Sequence, residues 1–123
     1  ARTMASFDVF VHPGEFETFC QTIQEAMASG VPVVATGRGG PLDLVDQSRN
    51  GWLYRPGDLG QLEHHVRDLV GDDAKRAAFA RAARATVESR TWAAIGDQLL
   101  AHYERARITS QRHRSVRRIV RAG

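Results

Sequence analysis

Short apolar runs alternate with helical patterns along the first three-quarters of the chain, and this alternation predicts a parallel α/β sheet. Apolar runs at residues 8–11 and 31–35 fit strands that are covered by helices on both faces. Between them, residues 19–29 carry apolar side chains at helical spacing, and Gly30 follows in the position of a C-cap. Strand, helix and strand therefore make one βαβ unit.

The rest of the pattern predicts one more strand and several helices. A single helical turn at residues 41–45 precedes a short strand at residues 51–54. The three helices that follow are predicted to begin after Asp58, after Asp72 or Asp73, and near Trp92. Three strands make an incomplete sheet, because doubly wound domains usually carry five or six. We expect the missing strands to lie upstream of Ala1.

Composition limits the class of protein. At 123 residues, with 42% apolar and 25% charged residues, the chain fits one globular domain and is neither disordered nor fibrous in character. No apolar run approaches the ~18–20 residues of a membrane-spanning helix. Cys20 stands alone, which excludes an internal disulfide framework and predicts a reducing, cytoplasmic location. The first residues show no signal peptide and no initiator Met, so we expect a chain cut from a longer one.

The charge is distributed unevenly. The net charge is +3, but the seven arginines from Arg105 to the end of the chain occur without any acidic residue. The basic tail itself is assigned to residues 108–123, which hold five of these seven arginines, and it has two interpretations. It is either a solvated end or a patch for phosphates of lipid headgroups or nucleic acid.

The segment from Gly14 to Val34 carries the candidate chemistry. Thr18 and Gln21 have the spacing of a capping box, which predicts that the helix begins at Thr18, just past the carboxyl end of the first strand. Open α/β sheets bind ligands at that end. The N–H groups of Phe19, Cys20 and Gln21 are then expected to be free to hold a diphosphate at the helix N-terminus.

Two carboxylates flank this helix start. Glu25 lies four residues after Gln21 on one helix face and suits the vicinal hydroxyls of a ribose, whereas Glu17 lies at the mouth and suits sugar hydroxyls. Plainer interpretations remain open at this point. Glu17 could simply favour the helix dipole, Glu25 could be solvated, and Cys20 fits a core position better than a nucleophile.

The spacing Glu17-x7-Glu25, followed by Ala-Met-Ala-Ser-Gly-Val-Pro-Val-Val, resembles the E-x7-E signature of glycosyltransferase family 4, which has the GT-B fold. The resemblance runs from about Met4 to Tyr103 and includes the Arg-Gly-Gly-Pro-Leu-Asp-Leu-Val stretch that starts at Arg38. Among subfamilies it is similar to actinobacterial GDP-mannose-dependent α-mannosyltransferases that act on lipid acceptors. It implies that residues 1–107 are part of a C-terminal nucleotide-sugar-binding domain with a Rossmann-like sheet followed by helices.

The resemblance also implies roles for individual residues. Glu25 matches the glutamate that holds the ribose of the nucleotide, and Glu17 matches the one that contacts the transferred sugar. The backbone from Thr18 to Thr22 corresponds to the stretch that approaches the diphosphate and sugar. In that comparison Thr18, Phe19 and Cys20 fall on the sugar side with Glu17, and Gln21 and Thr22 on the diphosphate side with Glu25. Glycine is common in the family where this chain has Thr18 and Cys20.

The same resemblance implies what the chain lacks. In the family, the cations that neutralise the diphosphate, the base-contacting residues and the acceptor-binding domain lie upstream, so we expect the 123 residues alone to be inactive. We expect no cofactor and no metal, since the five histidines lack tetrahedral spacing and His64 and His65 are interpreted as a solvent-facing pair. The nucleotide-sugar donor, GDP-mannose by resemblance, and a lipid or glycan acceptor are the expected partners, and nucleic acid is disfavoured.

Two function classes follow from the sequence. The first is the donor-binding part of a retaining glycosyltransferase, with peripheral contact between the basic tail and the inner face of the membrane. The second is an inactive binding module that uses the tail on anionic lipid or nucleic acid, for which strongly salt-dependent binding is expected. Another phosphate-binding α/β enzyme is disfavoured, because no Walker or dinucleotide glycine pattern is present.

Overall fold

A computed structural model describes the backbone of residues 2–120 and the side chains of residues 2–110. The described residues divide into two compact units, with the boundary between Ser89 and Arg90. The first unit contains the whole sheet and four α-helices, and the second contains one long helix.

Three parallel strands form the sheet of the first unit: β1 (Phe10–His12), β2 (Val33–Thr36) and β3 (Gly51–Tyr54), in the order β1-β2-β3. Val33 pairs with Phe10 on one side and with Gly51 on the other. Every residue of β2 is buried, as the double-sided apolar pattern predicts. The α/β class is therefore confirmed, although β1 and β2 begin two residues later than their apolar runs.

Helices cover both faces of the sheet. The helices of the first unit are α1 (Gln21–Ala28), α2 (Pro41–Leu44), α3 (Leu59–Val70) and α4 (Asp73–Val87), with a 3₁₀ turn at Met4–Ser6. Val33 of β2 belongs to a core cluster with residues of α1 and α4. Val34 belongs to a second cluster with Leu69 of α3 and Phe79 of α4. The alternating side chains of one strand thus supply both cores.

Side-chain caps fix where two of these helices begin. The Asp58 carboxylate accepts a hydrogen bond from Gln61 N at 2.9 Å, as the sequence predicts. Of the two candidates for the next cap, Asp72 is correct, because its Oδ1 accepts from Lys75 N at 2.8 Å. An aspartate cap of this kind stabilises a helix by about 1 kcal/mol.

Asn50 positions the turn that leads into β3. It is only 1% exposed, so each polar atom of its amide needs a partner. Its Oδ1 accepts from Asp46 N at 2.8 Å, and its Nδ2 donates to Leu44 O at 3.1 Å and to Thr86 Oγ1 at 3.0 Å. One buried amide therefore joins the end of α2, the turn and α4.

The prediction that His64 and His65 both face solvent is wrong for His65. Its ring is 7% exposed and stacks on Trp52 with the ring centroids 4.7 Å apart and an interplanar angle of 3°. His65 follows Leu62 by three residues and so lies on the face of α3 that packs over β3. The Trp52 indole donates to Asp68 Oδ2 at 3.0 Å, and a hydrogen bond from Lys75 lowers the pKa of that carboxyl.

The second unit consists of α5 (Trp92–Val120), which continues well past the predicted amphipathic segment into the basic tail. Thr91 Oγ1 accepts from Ala94 N at 3.1 Å at its start. Trp92, Leu100 and Tyr103 are each more than 60% exposed within the described residues. The side chains of residues 111–120 and the whole of 121–123 lie outside the described residues, so most of the predicted tail stays a prediction. Among the helices of the described part, none is long and apolar enough to cross a membrane.

The buried His65 ring predicts that stability falls as the pH drops. Burial lowers the pKa of His65, and the neighbouring His64 lowers it further. The unfolded chain therefore takes up a proton near the ordinary histidine pKa of about 6.5, before the folded chain does. The free energy of unfolding should be highest above that pH and decrease below it, by at most ~1.4 kcal/mol per pH unit for one proton.

Denaturant unfolding measured from pH 7.5 to 5.5 tests this. His65→Phe keeps a ring against Trp52 but removes the titrating group, so its pH slope should be shallower than that of the original chain. His64→Gln is the matched control on the exposed neighbour and should keep most of the slope. An unchanged slope in His65→Phe would contradict the assignment.

Candidate functional site

Two loops meet at the carboxyl ends of β1 and β2. The first loop comprises residues 13–20 and leads from β1 to α1, and the second loop comprises residues 37–40 and leads from β2 to α2. Because the strands are parallel and adjacent, both loops leave the same edge of the sheet. This is the edge at which open α/β sheets bind their ligands.

The two loops are in close backbone contact through the glycines of the second loop. Gly40 N donates to Glu17 O at 2.8 Å. A Cβ on Gly40 would lie 2.6 Å from Thr18 O and 2.7 Å from Cys20 Sγ. Gly39 has a φ of +65°, and a Cβ there would lie 2.8 Å from Glu17 O. Only glycine allows this approach.

Cys20 makes the turn from the first loop into α1 in a left-handed conformation, with φ 55° and ψ 45°. Such a conformation is uncommon for a residue with a side chain and is adopted readily by glycine. A glycine at this position would adopt the same turn without strain. Cys20 is 0% exposed as a whole residue, so neither its side chain nor its backbone is open to solvent, contrary to its predicted place among the sugar contacts.

The predicted capping box at Thr18 and Gln21 is wrong. The helix begins three residues later, at Gln21, with Cys20 as its N-cap residue and without a side-chain cap. Gln21 Nε2 donates to Glu25 Oε1 at 3.2 Å rather than back to Thr18. The local pattern favours a helical turn that starts at Thr18. Instead, Cys20 adopts a left-handed conformation and Gly40 of the second loop lies against Thr18 O.

The Glu17 carboxylate has a structural partner that the sequence did not indicate. Its Oε2 accepts from Cys20 N at 3.1 Å. The prediction that the Cys20 N–H is free is therefore wrong. Phe19 O accepts from Gln24 Nε2 at 2.7 Å. Glu17 is half-buried and points along the loop toward the start of α1, where it fixes the turn and leaves Oε1 for other contacts.

At the start of α1, the exposed residues Gln21 and Thr22 carry backbone N–H groups that have no partner among the described residues. The first hydrogen bond into the helix is from Gln24 N to Cys20 O at 3.0 Å, so the N–H groups of Gln21, Thr22 and Ile23 precede it. Gln21, Thr22 and Glu25 are exposed. The predicted pairing of Gln21 and Glu25 on one helix face is confirmed by their hydrogen bond.

Glu25 also lines a pocket between the 3₁₀ turn and α1. Its other lining residues are Thr3, Met4, Phe7, Ala28 and Ser29. No site role is predicted for the residues before β1, because a single 3₁₀ turn has no distinctive sequence pattern. The pocket lining combines Glu25 with two hydroxyl side chains, those of Thr3 and Ser29, and with apolar side chains.

Cys20 is a core residue and not a nucleophile, as expected from its pattern. Burial raises the pKa of its thiol, and the charges of Glu17 and Asp43 raise it further. A thiol with a raised pKa stays protonated near neutral pH, and the thiolate is the reactive form. The site therefore offers carboxylates and backbone donors.

The chain is similar to a known protein family and to named bacterial proteins. The model of the family described as "Glycosyl transferases group 1" matches residues 1–86. A GDP-mannose-dependent alpha-mannosyltransferase of Mycobacterium tuberculosis is 48% identical over 114 residues, and the match covers 90% of this chain and 29% of that protein. A protein of the same name from Mycolicibacterium smegmatis is 52% identical, with 85% and 27% covered. The chain thus spans less than a third of these relatives.

Solved structures have the same fold. Anabaena HepE in complex with UDP matches with a TM-score of 0.77 and 31% identity, over 84% of this chain and 29% of that one. Sucrose-phosphate synthase from Thermosynechococcus elongatus matches with a TM-score of 0.77 and 28% identity, over 87% of this chain and 27% of that one. Both are GT-B glycosyltransferases, and the three parallel strands with their helices match that fold.

The loop contact predicts a large penalty for Gly40→Ala. The added methyl group would meet a backbone oxygen at 2.6 Å and a buried sulfur at 2.7 Å, so the first loop must move. We expect a loss of about 1–3 kcal/mol in the free energy of unfolding, as for overpacked cores. Gly60→Ala is the matched control, because the nearest atom to its Cβ is Asp58 Oδ1 at 3.5 Å. Equal effects of both substitutions on denaturant unfolding would contradict the loop contact.

Proposed function

Because the chain belongs to the group 1 glycosyl transferase family, we propose that it holds the nucleotide-sugar donor of a retaining, GDP-mannose-dependent mannosyltransferase. The observation that carries this proposal is the arrangement of Glu17 and Glu25 on either side of the open N-terminus of α1. Relatives at 46–52% identity that carry the name GDP-mannose-dependent alpha-mannosyltransferase support the choice of donor. HepE, a structural neighbour, is in complex with UDP, which supports a nucleotide site.

The nucleotide lies along α1 in this proposal. The Glu25 carboxylate accepts hydrogen bonds from the two ribose hydroxyls, with Gln21 beside it to hold its orientation. The N–H groups of Gln21 and Thr22, together with the positive end of the helix dipole, bind the diphosphate. Both contacts need a helix that begins at Gln21. The left-handed conformation of Cys20 sets that starting point.

The transferred sugar lies over the first loop. Glu17 Oε1 accepts from a sugar hydroxyl while Oε2 stays on Cys20 N, so the same carboxylate fixes the turn and contacts the donor. The exposed Thr18 and Phe19 border the sugar, whereas the buried Cys20 makes the turn into α1. Their position next to the N-terminus of α1 puts the sugar close to the diphosphate that leaves.

Transfer requires more than this site. The proposed reaction breaks the bond between the mannose anomeric carbon and the diphosphate and forms a bond to an acceptor hydroxyl on a lipid or glycan, with the anomeric configuration retained. The donor contacts described here include no cation to stabilise the leaving diphosphate. We therefore expect no transfer by the 123 residues alone, although nucleotide binding can persist.

The basic end of α5 extends the proposal to the membrane. The described part of this helix exposes both apolar and basic side chains, among them Tyr103 and Arg105. A basic helix of this kind favours an anionic surface. We propose peripheral contact with the cytoplasmic face of the membrane, where a lipid acceptor would be reached, and the alternative is an inactive module that binds polyanions through the same residues.

The ribose assignment predicts that Glu25→Ala weakens nucleotide binding. Loss of a charge-assisted hydrogen bond to the ribose should cost roughly 1.5–3 kcal/mol in GDP affinity, measured by calorimetry. Glu63→Ala on α3 is the matched control, because Glu63 is also an exposed helical glutamate, and it should leave the affinity unchanged. GDP affinity that survives Glu25→Ala would overturn the proposed donor site.

Glu17→Gln separates the sugar role from the structural one. A glutamine can still accept from Cys20 N, so the turn is kept while the charge near the sugar is lost. In the enzyme that contains this chain, kcat should fall more than GDP affinity, since the charge acts where the sugar develops positive character. Parallel losses of kcat and of affinity for free GDP would argue against this role.

The membrane proposal predicts that removal of residues 110–123 weakens binding to anionic vesicles. Each basic residue near the surface contributes ~1 kcal/mol at most, so the loss should be large at low salt and small at high salt. Vesicles of neutral lipid serve as the control in a sedimentation assay. Binding that is insensitive to both the deletion and the salt would refute the proposal, and a preference for nucleic acid would favour the inactive module.

A further inference from the structure

A buried hydroxyl joins the ends of all three strands at the edge of the sheet from which the two loops leave. Thr36 is the last residue of the central strand β2 and is 1% exposed. Its Oγ1 donates to the backbone oxygen of His12, the last residue of β1, at 3.3 Å. The same Oγ1 lies 3.2 Å from Oη of Tyr54, the last residue of β3. These three residues are called here the strand-end cluster.

The direction of the two hydrogen bonds follows from their atoms. A threonine hydroxyl has a single hydrogen, and a backbone carbonyl oxygen can only accept. With the Thr36 hydrogen on His12 O, the Tyr54 hydroxyl has to donate to Thr36 Oγ1. Thr36 is therefore the central member of the cluster. Removal of its hydroxyl breaks both bonds, whereas removal of the Tyr54 hydroxyl leaves the bond to His12 in place.

The strand-end cluster reaches the first loop through His12. The imidazole of His12 lies against Gly14, because a Cβ on Gly14 would be 2.7 Å from His12 Cε1. The same Cβ would be 3.5 Å from Glu17 Cγ. The imidazole and the Glu17 side chain thus border the same point of the first loop. His12 lies between the hydroxyl in the sheet and the carboxylate that fixes the turn into α1.

The second loop starts at the same cluster. Gly37 follows Thr36 directly, and its N–H donates to Tyr54 O at 2.7 Å. A Cβ on Gly37 would lie 3.2 Å from that oxygen, so the second loop leaves β2 in close contact with β3. The first loop likewise begins immediately after His12. Both loops of the proposed donor site therefore begin next to a member of the strand-end cluster.

The hydroxyl is an exception in an apolar strand. The three preceding residues of β2 are Val33, Val34 and Ala35, all buried. A valine at position 36 would have the shape of Thr36 and would continue this pattern. Burial of a hydroxyl costs free energy unless it is hydrogen-bonded. What the hydroxyl adds at this position is a pair of directional bonds across the strand ends.

These bonds tie the start of the first loop to the sheet at the point where the donor site begins. Resting on the proposed function, we propose that Thr36 is a positioning residue of the donor site. Through His12 it holds the first loop, and with that loop the Glu17 carboxylate and the turn into α1, in the arrangement that binds the nucleotide. Thr36 itself is buried and makes no contact with the donor in this proposal.

Calorimetric titration of the chain with GDP tests the proposal. Thr36→Val keeps the shape but removes both bonds, so it should weaken GDP binding by about two- to tenfold, the range for one neutral hydrogen bond. Thr36→Ser restores the hydroxyl and should bind within about twofold of the original chain. Tyr54→Phe leaves the bond to His12 and should lose less affinity than Thr36→Val does.

Hydrogen exchange of the Cys20 amide is the second measurement, because that N–H is bonded to Glu17. Thr36→Val should speed its exchange relative to the amides of α3, since the first loop opens locally while the rest of the fold is kept. Val31→Ala is the matched control. Val31 is also 1% exposed, but it precedes β2 at the opposite end of the strand, so this variant loses stability without a selective effect on GDP affinity or on Cys20.

The proposal is overturned if Thr36→Val binds GDP as the original chain does, if Thr36→Ser loses as much affinity as Thr36→Val, or if Val31→Ala has the same effect. If Thr36→Val does not fold, Tyr54→Phe takes its place, and unchanged Cys20 exchange in that variant overturns the proposal. Failure of the original chain to bind GDP refutes the donor site instead. The Cys20 exchange rate then decides whether Thr36 holds the first loop, because an unchanged rate in Thr36→Val refutes that link too.

Discussion

The architecture of the site depends on the contact between Gly40 and the backbone of the first loop. The hydrogen bond from Gly40 N to Glu17 O joins the loops that follow β1 and β2, and the absence of a side chain at Gly40 leaves room for Thr18 O and Cys20 Sγ. With the loops in contact, the chain has to turn sharply to enter α1, and Cys20 makes that turn in a left-handed conformation. The helix start and the Glu17 carboxylate take their positions from this arrangement.

The contact gives Glu17 two functions at once. One carboxylate oxygen satisfies the Cys20 N–H, which would otherwise be an unpaired donor at the turn, and the other remains available. Glu25 is different, because it is exposed on a regular helix and its carboxylate is bonded only to Gln21 within the described residues. A substitution at Glu17 thus affects both structure and chemistry, whereas one at Glu25 affects a ligand contact almost alone. This difference makes Glu25 the cleaner probe of binding.

The sequence predicts those features of the fold that arise from local patterns. Alternating apolar runs predict the parallel sheet, and the side-chain caps Asp58 and Asp72 follow from short-range hydrogen bonding. The prediction fails where a tertiary contact overrides the local pattern. Thr18 has the spacing of a helix cap, but the second loop is bound against it and moves the helix start to Gln21. His65 has a polar side chain on an amphipathic helix, but stacking on Trp52 buries it.

The most direct measurement is a crystal structure of the chain with GDP-mannose. The account predicts that the diphosphate oxygens lie within hydrogen-bonding distance of the N–H groups of Gln21 and Thr22, with the ribose hydroxyls on the Glu25 carboxylate and the mannose over the first loop. Cys20 should keep its left-handed conformation, and the bond between Gly40 and Glu17 should remain. A nucleotide bound away from the start of α1, or a ribose that makes no contact with Glu25, would contradict the account.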